Sequence, residues 1–324
     1  MSTDNGLHWN VEQLYHKLAP RLPNLSIEVV SEIPSTNTAL LERARVATRL
    51  TTEGDLAQVR RSTESQAFGR RNADHQPCLL VAEHQTQGRG RQGRVWQSEA
   101  VASLTFSLAV PLAPVDWSGF SLAVGVALAD ALDPLGCGAS GSTDEPSTAP
   151  WIGIKWPNDL WLMPPNGTAD SGRKLGGLLI ETVPAGAMRL AVVGIGLNVL
   201  PLALDPAQVA SGFACLQELD PDVTVPQVLA QVALPLVEAL QRFEREGFAG
   251  FADRFAARDV LRGCAVHAGA AGLSDPLRAA TGVNGVAEGV SGSGALRVRV
   301  LDGLREVISG EVSVRLQSAA GRAC

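Results

Sequence analysis

Gly88-Arg89-Gly90-Arg91-Gln92-Gly93-Arg94-Val95-Trp96 is the stretch on which the fold assignment turns. Its first six residues satisfy the spacing GxGxxG. In a doubly wound α/β protein that spacing marks the turn between a strand and the helix that opens on a pyrophosphate. Such a fold needs a helix directly after the glycines. Here Arg94-Val95-Trp96-Gln97-Ser98 follows, and then Leu104 to Val110 (LTFSLAV), which reads as a strand. Arg89 and Arg91 also fill variable positions of the motif, unlike an ordinary dinucleotide-binding turn, and Arg94 follows at once. Cations on a glycine-rich backbone that can bend closely around a ligand suit a loop closing over a compact anion such as phosphate. A solvated, arginine-rich surface turn is the plainer alternative.

Outward from this loop, Leu79 to Ala82 is a short buried-type strand leading into Glu83-His84-Gln85. Further upstream, the spacing of Trp9, Val11, Leu14, Tyr15 and Leu18 predicts a helix over residues 9–18, and Ile27 to Ile33 reads as a strand. Pro34-Ser35-Thr36-Asn37 then offers hydroxyl N-caps for a helix through Leu40 and Leu41. Downstream, Ser121 to Leu132 is an apolar helix. Ile152 to Trp156 is a strand ending at Pro157, with Leu160 to Met163 as its continuation or hairpin partner. Leu178 to Glu181 and Leu190 to Ile195 form a strand pair. Val228 to Phe243, kinked at Pro235, and Phe248 to Ala257 are amphipathic helices. Past residue 262 the pattern changes to short alternating strands separated by glycine turns: Gly282 to Gly289, Ala295 to Val300, and Glu306 to Ser309. The expectation is an α+β protein. Residues 1–260 form a domain with a mixed central sheet flanked by helices, and residues 261–324 a small C-terminal β-barrel. Mobile insertions are expected at about 43–77, 136–149 and 164–173, where Arg, Ser, Gln, Gly and Thr replace apolar residues.

The chain of 324 residues has a hydrophobic content of 45%, enough for a large domain with a proper core plus a small one. Its net charge of -6, with no basic stripe outside the loop, argues against non-specific nucleic-acid binding. The five cysteines show no CxxC or other ligand spacing and read as reduced thiols. The histidines form no HxH or HExxH pair, which argues against a zinc site. The N-terminus lacks the apolar core of a signal peptide, and no uncharged apolar run reaches the length of a membrane helix. A cytoplasmic protein without membrane contact is expected.

A second set of charged residues lies in Lys155-Trp156-Pro157-Asn158-Asp159 and in Gly172-Arg173-Lys174-Leu175-Gly176-Gly177. The first string places a cation and a carboxylate where a strand ends. An exposed Lys155–Asp159 ion pair, a Trp156 that is simply core, and an Arg173-Lys174 that is only a charged turn are the bland alternatives. With the arginine loop, however, Arg91, Arg94, Lys155 and Lys174 supply cations for phosphate or carboxylate, and Asp159 supplies a group for Mg²⁺ or proton transfer. Acyl adenylation needs such a set. A carboxylate attacks the α-phosphate of ATP, pyrophosphate leaves, and fixed positive charge stabilises the phosphate oxygens.

In order along the chain, Ser35-Thr36-Asn37, Gln85…Gly88-Arg89-Gly90-Arg91…Gly93-Arg94…Trp96, Lys155 to Asp159, Arg173 to Gly177, and Gly194-Ile195-Gly196-Leu197-Asn198 resemble the biotin–protein ligase family. Ser309 to Arg315 resembles that family's closing strand. The resemblance covers roughly residues 30–315. It implies a class II synthetase-like ligase domain with an SH3-like C-terminal barrel. The implied activity is ATP-dependent formation of biotinyl-5′-AMP, followed by transfer of biotin to a lysine of a biotin carboxyl-carrier protein. ATP and Mg²⁺ are used, and there is no tightly bound prosthetic group.

By the same resemblance, Ser35, Thr36, Asn37 and Gln85 serve the biotin site, and Gly88, Arg89, Gly90 and Arg91 form the loop over biotin and its adenylate. Arg91 and Arg94 hold the carboxylate and phosphates, and Trp96 packs near the adenine. Lys155, Asn158 and Asp159 sit by the phosphates, Asp159 also as the metal ligand. Lys174 meets the biotinyl carboxylate and α-phosphate, with Gly177 beside it, and Asn198 bonds the adenine edge. Arg91, Lys174 and Asp159 are the catalytic candidates. Ser35 as a mere helix cap and Asn198 as a turn residue remain open.

The 34 residues before Ser35 are too few for the winged helix-turn-helix of the family's repressors, so a ligase without DNA binding is expected. A homodimer is left open. The competing functions are a lipoate– or octanoate–protein ligase, which shares the chemistry, and a biotin-sensing binding protein, which needs a DNA-reading element.

Overall fold

The computed structural model describes residues 7–53, 65–68, 75–134, 136, 149–165, 167–185, 188–202, 212–270, 282–309 and 312–316. In chain order the elements begin with α1 (Val11–Leu18), β1 (Ser26–Ile33), α2 (Thr36–Glu53), β2 (Ser65–Phe68), β3 (Cys78–Gln85) and β4 (Ser103–Leu112). They continue with α3 (Phe120–Leu132), β5 (Trp151–Lys155), β6 (Asp159–Met163), β7 (Arg173–Ala185), β8 (Met188–Asn198), α4 (Val225–Glu246) and α5 (Ala252–Ala256). The last are β9 (Ala265–Ala270), β10 (Val283–Val290), β11 (Leu296–Val300), β12 (Gly303–Val307) and β13 (Val312–Leu316). Two compact units result. The first comprises Met1–Ala113, Gly176–Leu204 and Cys215–Glu238, and the second Pro114–Leu175, Asp205–Ala214 and Ala239–Cys324.

The first unit is built on a mixed sheet in the order β2-β1-β3-β4-β8-β7, with β1 and β3 parallel and the other neighbours antiparallel. β3 and β4 read as near-continuous apolar runs because both are buried along almost their whole length. Helix α2 lies on one face of this sheet. Its Leu40, Leu41 and Ala44 pack against Cys78, Leu80, Ala109, Leu190 and Val192. The hydroxyl of Ser35 accepts from the Thr38 N–H at 3.4 Å, so Ser35 does cap α2.

The second unit contains the β5–β6 hairpin, helix α3 and a five-stranded antiparallel sheet in the order β12-β11-β10-β9-β13. Phe120 packs on Phe243, Phe243 on Phe251, and Phe248 on Phe255, with ring centroids 4.8, 6.5 and 6.1 Å apart. Residues 258–260 bind the β5 backbone, Ile154 donating to the Arg258 carbonyl at 2.7 Å and Val260 donating to that of Ile154 at 3.2 Å. Arg258 is almost wholly buried. It is neutralised by Asp130 and Asp133 and donates to the Ile152 carbonyl at 2.8 Å. Among the described residues no helix is long and apolar enough to cross a membrane.

Several expectations need correction. The stretch 43–77 is not an insertion throughout: α2 runs on to Glu53, and Ser65–Phe68 adds an edge strand to β1. The remainder of 43–77, and most of 136–149, lies outside the described residues. Leu160 to Met163 is the hairpin partner of β5, not its continuation. The 164–173 segment holds a short 3₁₀ turn, Ala169–Ser171, with Ala169 buried. The helix read from Phe248 shortens to α5, preceded by a 3₁₀ turn at Gly247–Phe251, where Gly247 has φ 62°. β9 was missed because AVHAGA carries few strand-favouring side chains.

Asp259 lies beside Ile154 in the segment that binds β5. Its Oδ1 accepts from the Leu261 N–H at 3.0 Å, while Oδ2 is shut off from solvent and has no hydrogen-bond partner. Burial pushes its carboxyl up to about 6, against the opposing pull of the Leu261 N–H and Arg262. The folded chain therefore keeps a proton that the unfolded chain releases from its ordinary 3.8 upward. Asp259 costs nothing below that value and destabilises increasingly as pH rises through about 6, by at most roughly 3 kcal/mol at neutral pH. Asp259→Asn is expected to lose less stability than the parent between pH 4 and pH 7, as measured by thermal melts across that range.

Candidate functional site

The arginine loop joins β3 to β4 as a small hairpin and opens no helix. Trp96 N–H donates to the Gly88 carbonyl at 2.9 Å, and Gly90 N–H to the Arg94 carbonyl at 2.7 Å. Arg89 bridges Val95 across the hairpin. The tip, Arg91–Gly93, is a 3₁₀ turn in which Gln92 and Gly93 both have positive φ. A Cβ on Gly88 would overlap the Trp96 carbonyl, so only glycine lets the two arms approach this closely. Arg89 and Arg94 are exposed, and Arg91 and Trp96 are half-buried.

At the start of α2, four buried polar side chains satisfy one another. Gln85 Oε1 accepts from the Thr36 backbone N–H at 2.8 Å and stands 3.1 Å from the Thr36 hydroxyl, whose proton goes to Ser107. The Thr36 and Ser107 hydroxyls are 2.7 Å apart, and Ser107 donates to Asn37 Oδ1 at 2.6 Å. Asn37 Nδ2 donates to the Leu179 carbonyl and to Glu181 Oε2, both at 3.0 Å. Glu181 also pairs with Arg89 at 3.3 Å. A cleft of about 280 Å³ opens beside this cluster, lined by Ser35, Thr38, Arg45, Gln87, Arg89 and Glu181 among others.

The glycines of Gly194-Ile195-Gly196 now have a physical reason. They face the same side of β8, where a Cβ on Gly194 would overlap the Asn37 amide and one on Gly196 would overlap the Trp96 indole. The chain thus seats Asn37 and Trp96 directly on the β8 backbone. Trp96 Nε1 is buried there without a hydrogen-bond partner, which leaves a donor for a ligand to satisfy. Asn198, buried, ends the same strand opposite Ser103. Gly177 pairs with Gly196 across β7 and β8.

The second unit holds the remaining predicted residues. Lys155 and Asp159 pair in register across the β5–β6 turn, and the Trp156–Pro157 peptide within it is cis. The ion pair considered between them is not what Asp159 Oδ1 makes: it receives Lys174 Nζ at 2.8 Å, while Lys155 Nζ stands 4.1 Å over the Trp161 ring. Trp156 is core, as the bland alternative had it, and is also bonded: its Nε1 donates to the Gly294 carbonyl at 3.0 Å in the turn between β10 and β11. Asn158 is half-buried on the turn. Lys174 is held on both sides of its backbone, its N–H by the Gly212 carbonyl at 3.3 Å and its carbonyl by the Ala214 N–H at 3.0 Å. Among the described residues no three His, Cys, Asp or Glu side chains cluster as a resident metal site.

The predicted residues therefore fall into two sets. Ser35, Thr36, Asn37, Gln85, Gly88 to Arg91, Arg94, Trp96, Gly177 and Asn198 belong to the first unit, and Lys155, Asn158, Asp159 and Lys174 to the second. Sequence reasoning missed Ser107 and Glu181. The serine at the centre of LTFSLAV was the available signal for Ser107; Glu181 ends the apolar run Leu178 to Ile180 within β7 and carried none.

Residues 56–198 match the model of the biotin/lipoate A/B protein ligase family, and residues 280–315 match that of the biotin protein ligase C terminal domain. The chain is 30% identical over 241 residues to the bifunctional ligase/repressor BirA of Escherichia coli, a match covering 72% of this chain and 65% of that protein. It is also 30% identical over 251 residues to the biotin–[acetyl-CoA-carboxylase] ligase of Paracoccus denitrificans, covering 72% of this chain and 88% of that one. In fold it resembles the biotin protein ligase of Aquifex aeolicus in complex with biotin and ATP, with a TM-score of 0.58, 24% identity, and 90% and 99% of the two chains covered.

Ser107 is fully buried and joins Thr36 to Asn37. Ser107→Ala leaves the buried Asn37 Oδ1 without its donor, while the Thr36 hydroxyl turns to Gln85 Oε1, and is expected to cost roughly 1–3 kcal/mol of stability. Urea denaturation of the variant against the parent measures this directly.

Proposed function

The chain belongs to the biotin/lipoate A/B protein ligase family, and from that premise we propose that it activates biotin with ATP and transfers it to a lysine of a carrier protein. The observation that carries the choice of biotin over lipoate is the match of residues 280–315 to the biotin protein ligase C terminal domain. The buried polar cluster beside the cleft fits the same choice. A ureido ring presents N–H donors and a carbonyl acceptor, and Ser35 and Gln85 offer groups of both kinds. Arg89 stands on the lip of that cleft, paired with Glu181.

In the first half-reaction a biotin carboxylate oxygen attacks the α-phosphorus of ATP. The bond to the bridging oxygen breaks, and pyrophosphate leaves. Arg91 and Arg94 steady the phosphates, and Trp96 and Asn198 meet the adenine. Lys174 stabilises the developing charge. Its backbone is held on either side and its ammonium is oriented in advance by Asp159, so little reorganisation is needed when charge appears. Magnesium bound with the nucleotide would neutralise phosphate charge, and Asp159 is the protein carboxylate that would help hold it.

In the second half-reaction the ε-amine of the carrier lysine attacks the acyl carbon of biotinyl-5′-AMP. The amine loses a proton, and AMP departs. Asp159 is the carboxylate assigned to orient the amine or accept its proton. A hairpin loop that closes over the adenylate keeps water from the mixed anhydride.

Mass spectrometry after incubation with Mg-ATP and either biotin or lipoate tests this assignment. Retained biotinyl-5′-AMP, with pyrophosphate released only when biotin is present, is the expected result. Lipoyl-AMP would reassign the substrate, and no adenylate with either acid would overturn the proposal. Lys174→Ala is expected to slow biotin-dependent pyrophosphate release by roughly 10²-fold or more, the scale of losing one oxyanion-type donor. A rate near that of the parent would remove Lys174 from the chemistry.

A further inference from the structure

Glu181 accepts hydrogen bonds from two directions at a single oxygen. Oε2 receives Arg89 from the loop at 3.3 Å and Asn37 from the buried cluster at 3.0 Å. From Asn37 the bonds run through the Ser107 and Thr36 hydroxyls and then the Thr36 backbone N–H to Gln85, and the Gln85 backbone N–H donates to the Ser98 hydroxyl at 3.1 Å. Gln85 and Ser98 flank the loop on either side in sequence, at its two feet, while Arg89 stands at its lip. The bonds thus close a circuit: both feet of the loop and one of its arginines are tied to the same network. Glu181 is the link that joins the solvent-facing part of the circuit to the buried part.

We propose that Glu181 is a positioning residue, a latch that holds the arginine loop down on the cleft through Arg89; on the biotin-ligase reading above, it sets how long the acyl-adenylate is retained. The latch has the strength such a part requires. Arg89 and Glu181 side chains are 43% and 32% exposed, and ion pairs of that exposure change an equilibrium by only about two- to five-fold. A loop that admits substrate and then shields an anhydride has to open readily, and a fully buried pair would resist opening. On its other side Glu181 is held firmly, because Asn37 is nearly fully buried and seated against Gly194. The carboxylate therefore stays in place when the loop leaves it.

Glu181→Gln keeps an acceptor for Asn37 and removes the charge that Arg89 meets. With parent and variant loaded from Mg-ATP and biotin, release of biotinyl-5′-AMP into solution is expected to be about two- to five-fold faster from the variant. Raising the salt concentration is expected to speed release from the parent towards the variant's rate, because screening weakens the exposed pair; a merely structural role would not respond in this way. Arg89→Gln is expected to behave as Glu181→Gln does, and the double variant to release no faster than the quicker single one. Equal release by Glu181→Gln and the parent, or effects that multiply in the double variant, would overturn the latch.

Trypsin cleavage after Arg91 and Arg94 in the protein without substrates gives a readout independent of the reaction. It is expected to quicken by the same factor in Glu181→Gln. A parent that forms no biotinyl-5′-AMP would sink the ligase reading alone: faster loop cleavage would still support the latch, and unchanged cleavage would overturn it.

Discussion

Hydroxyl and amide groups buried at the foot of α2 must find their partners inside the protein, and much of the first unit is arranged around that requirement. Thr36, Asn37 and Ser107 are each at most 3% exposed, beside a core made mainly of leucine, valine and alanine. A buried polar group without a partner costs as much as several good contacts supply, so the network is either complete or a liability. Completing it fixes where α2 begins, which face of β4 Ser107 occupies, and which β7 carbonyl Asn37 reaches. It also dictates that β8 be bare at Gly194, since any side chain there would occupy the place of the Asn37 amide. The cleft is a by-product of the same constraint. It opens where a polar cluster, a helix start and a hairpin loop meet.

The second unit solves a different problem: holding a short charged turn rigidly. The β5–β6 turn is anchored from below by Trp156, whose buried indole is bonded to the β10–β11 turn. Its parent strand is anchored at the side by residues 258–260 and by the buried Arg258. These contacts give the five-stranded sheet a structural reason for belonging to the same unit as the turn, because one of its own turns supplies the carbonyl that satisfies Trp156. Lys155 is drawn over the Trp161 ring, and Asp159 faces Lys174. The sequence placed Lys155 and Asp159 four residues apart, but the pairing that forms is with a lysine further along the chain.

The sequence was most legible where periodicity and turn chemistry agreed. β1, β3, β4 and α3 stand within a few residues of their expected positions because each is an apolar run closed by a recognisable boundary. The arginine loop was readable as something other than a dinucleotide turn because a strand, not a helix, had to follow it. β2 and β9 were not legible: strands of four and six residues rich in Ala, Gly, Ser and Gln owe their form to a neighbour's unpaired backbone rather than to their own side chains. Glu181 was invisible for a related reason. Its importance lies in two partners, Arg89 and Asn37, that are distant in sequence, and no local pattern encodes a long-range meeting.

The two ion pairs nearest the predicted chemistry differ in the way their tasks demand. Arg89–Glu181 is exposed and its bond is long, whereas Lys174–Asp159 is shorter at 2.8 Å and its side chains are only 30% and 19% exposed. Screening by water keeps the first pair weak, so a loop held by it can exchange between open and closed at little cost. The second pair is more shielded, and a charged hydrogen bond in such surroundings contributes about 1.5–3 kcal/mol. That is enough to hold an ammonium in one orientation before any negative charge develops beside it. A cation that had to be gathered during the reaction would spend on reorganisation much of what it returned in stabilisation. Burial, more than the choice of residues, separates the two roles: each pair is one basic side chain against one carboxylate, and the depth of each sets whether it moves or stays.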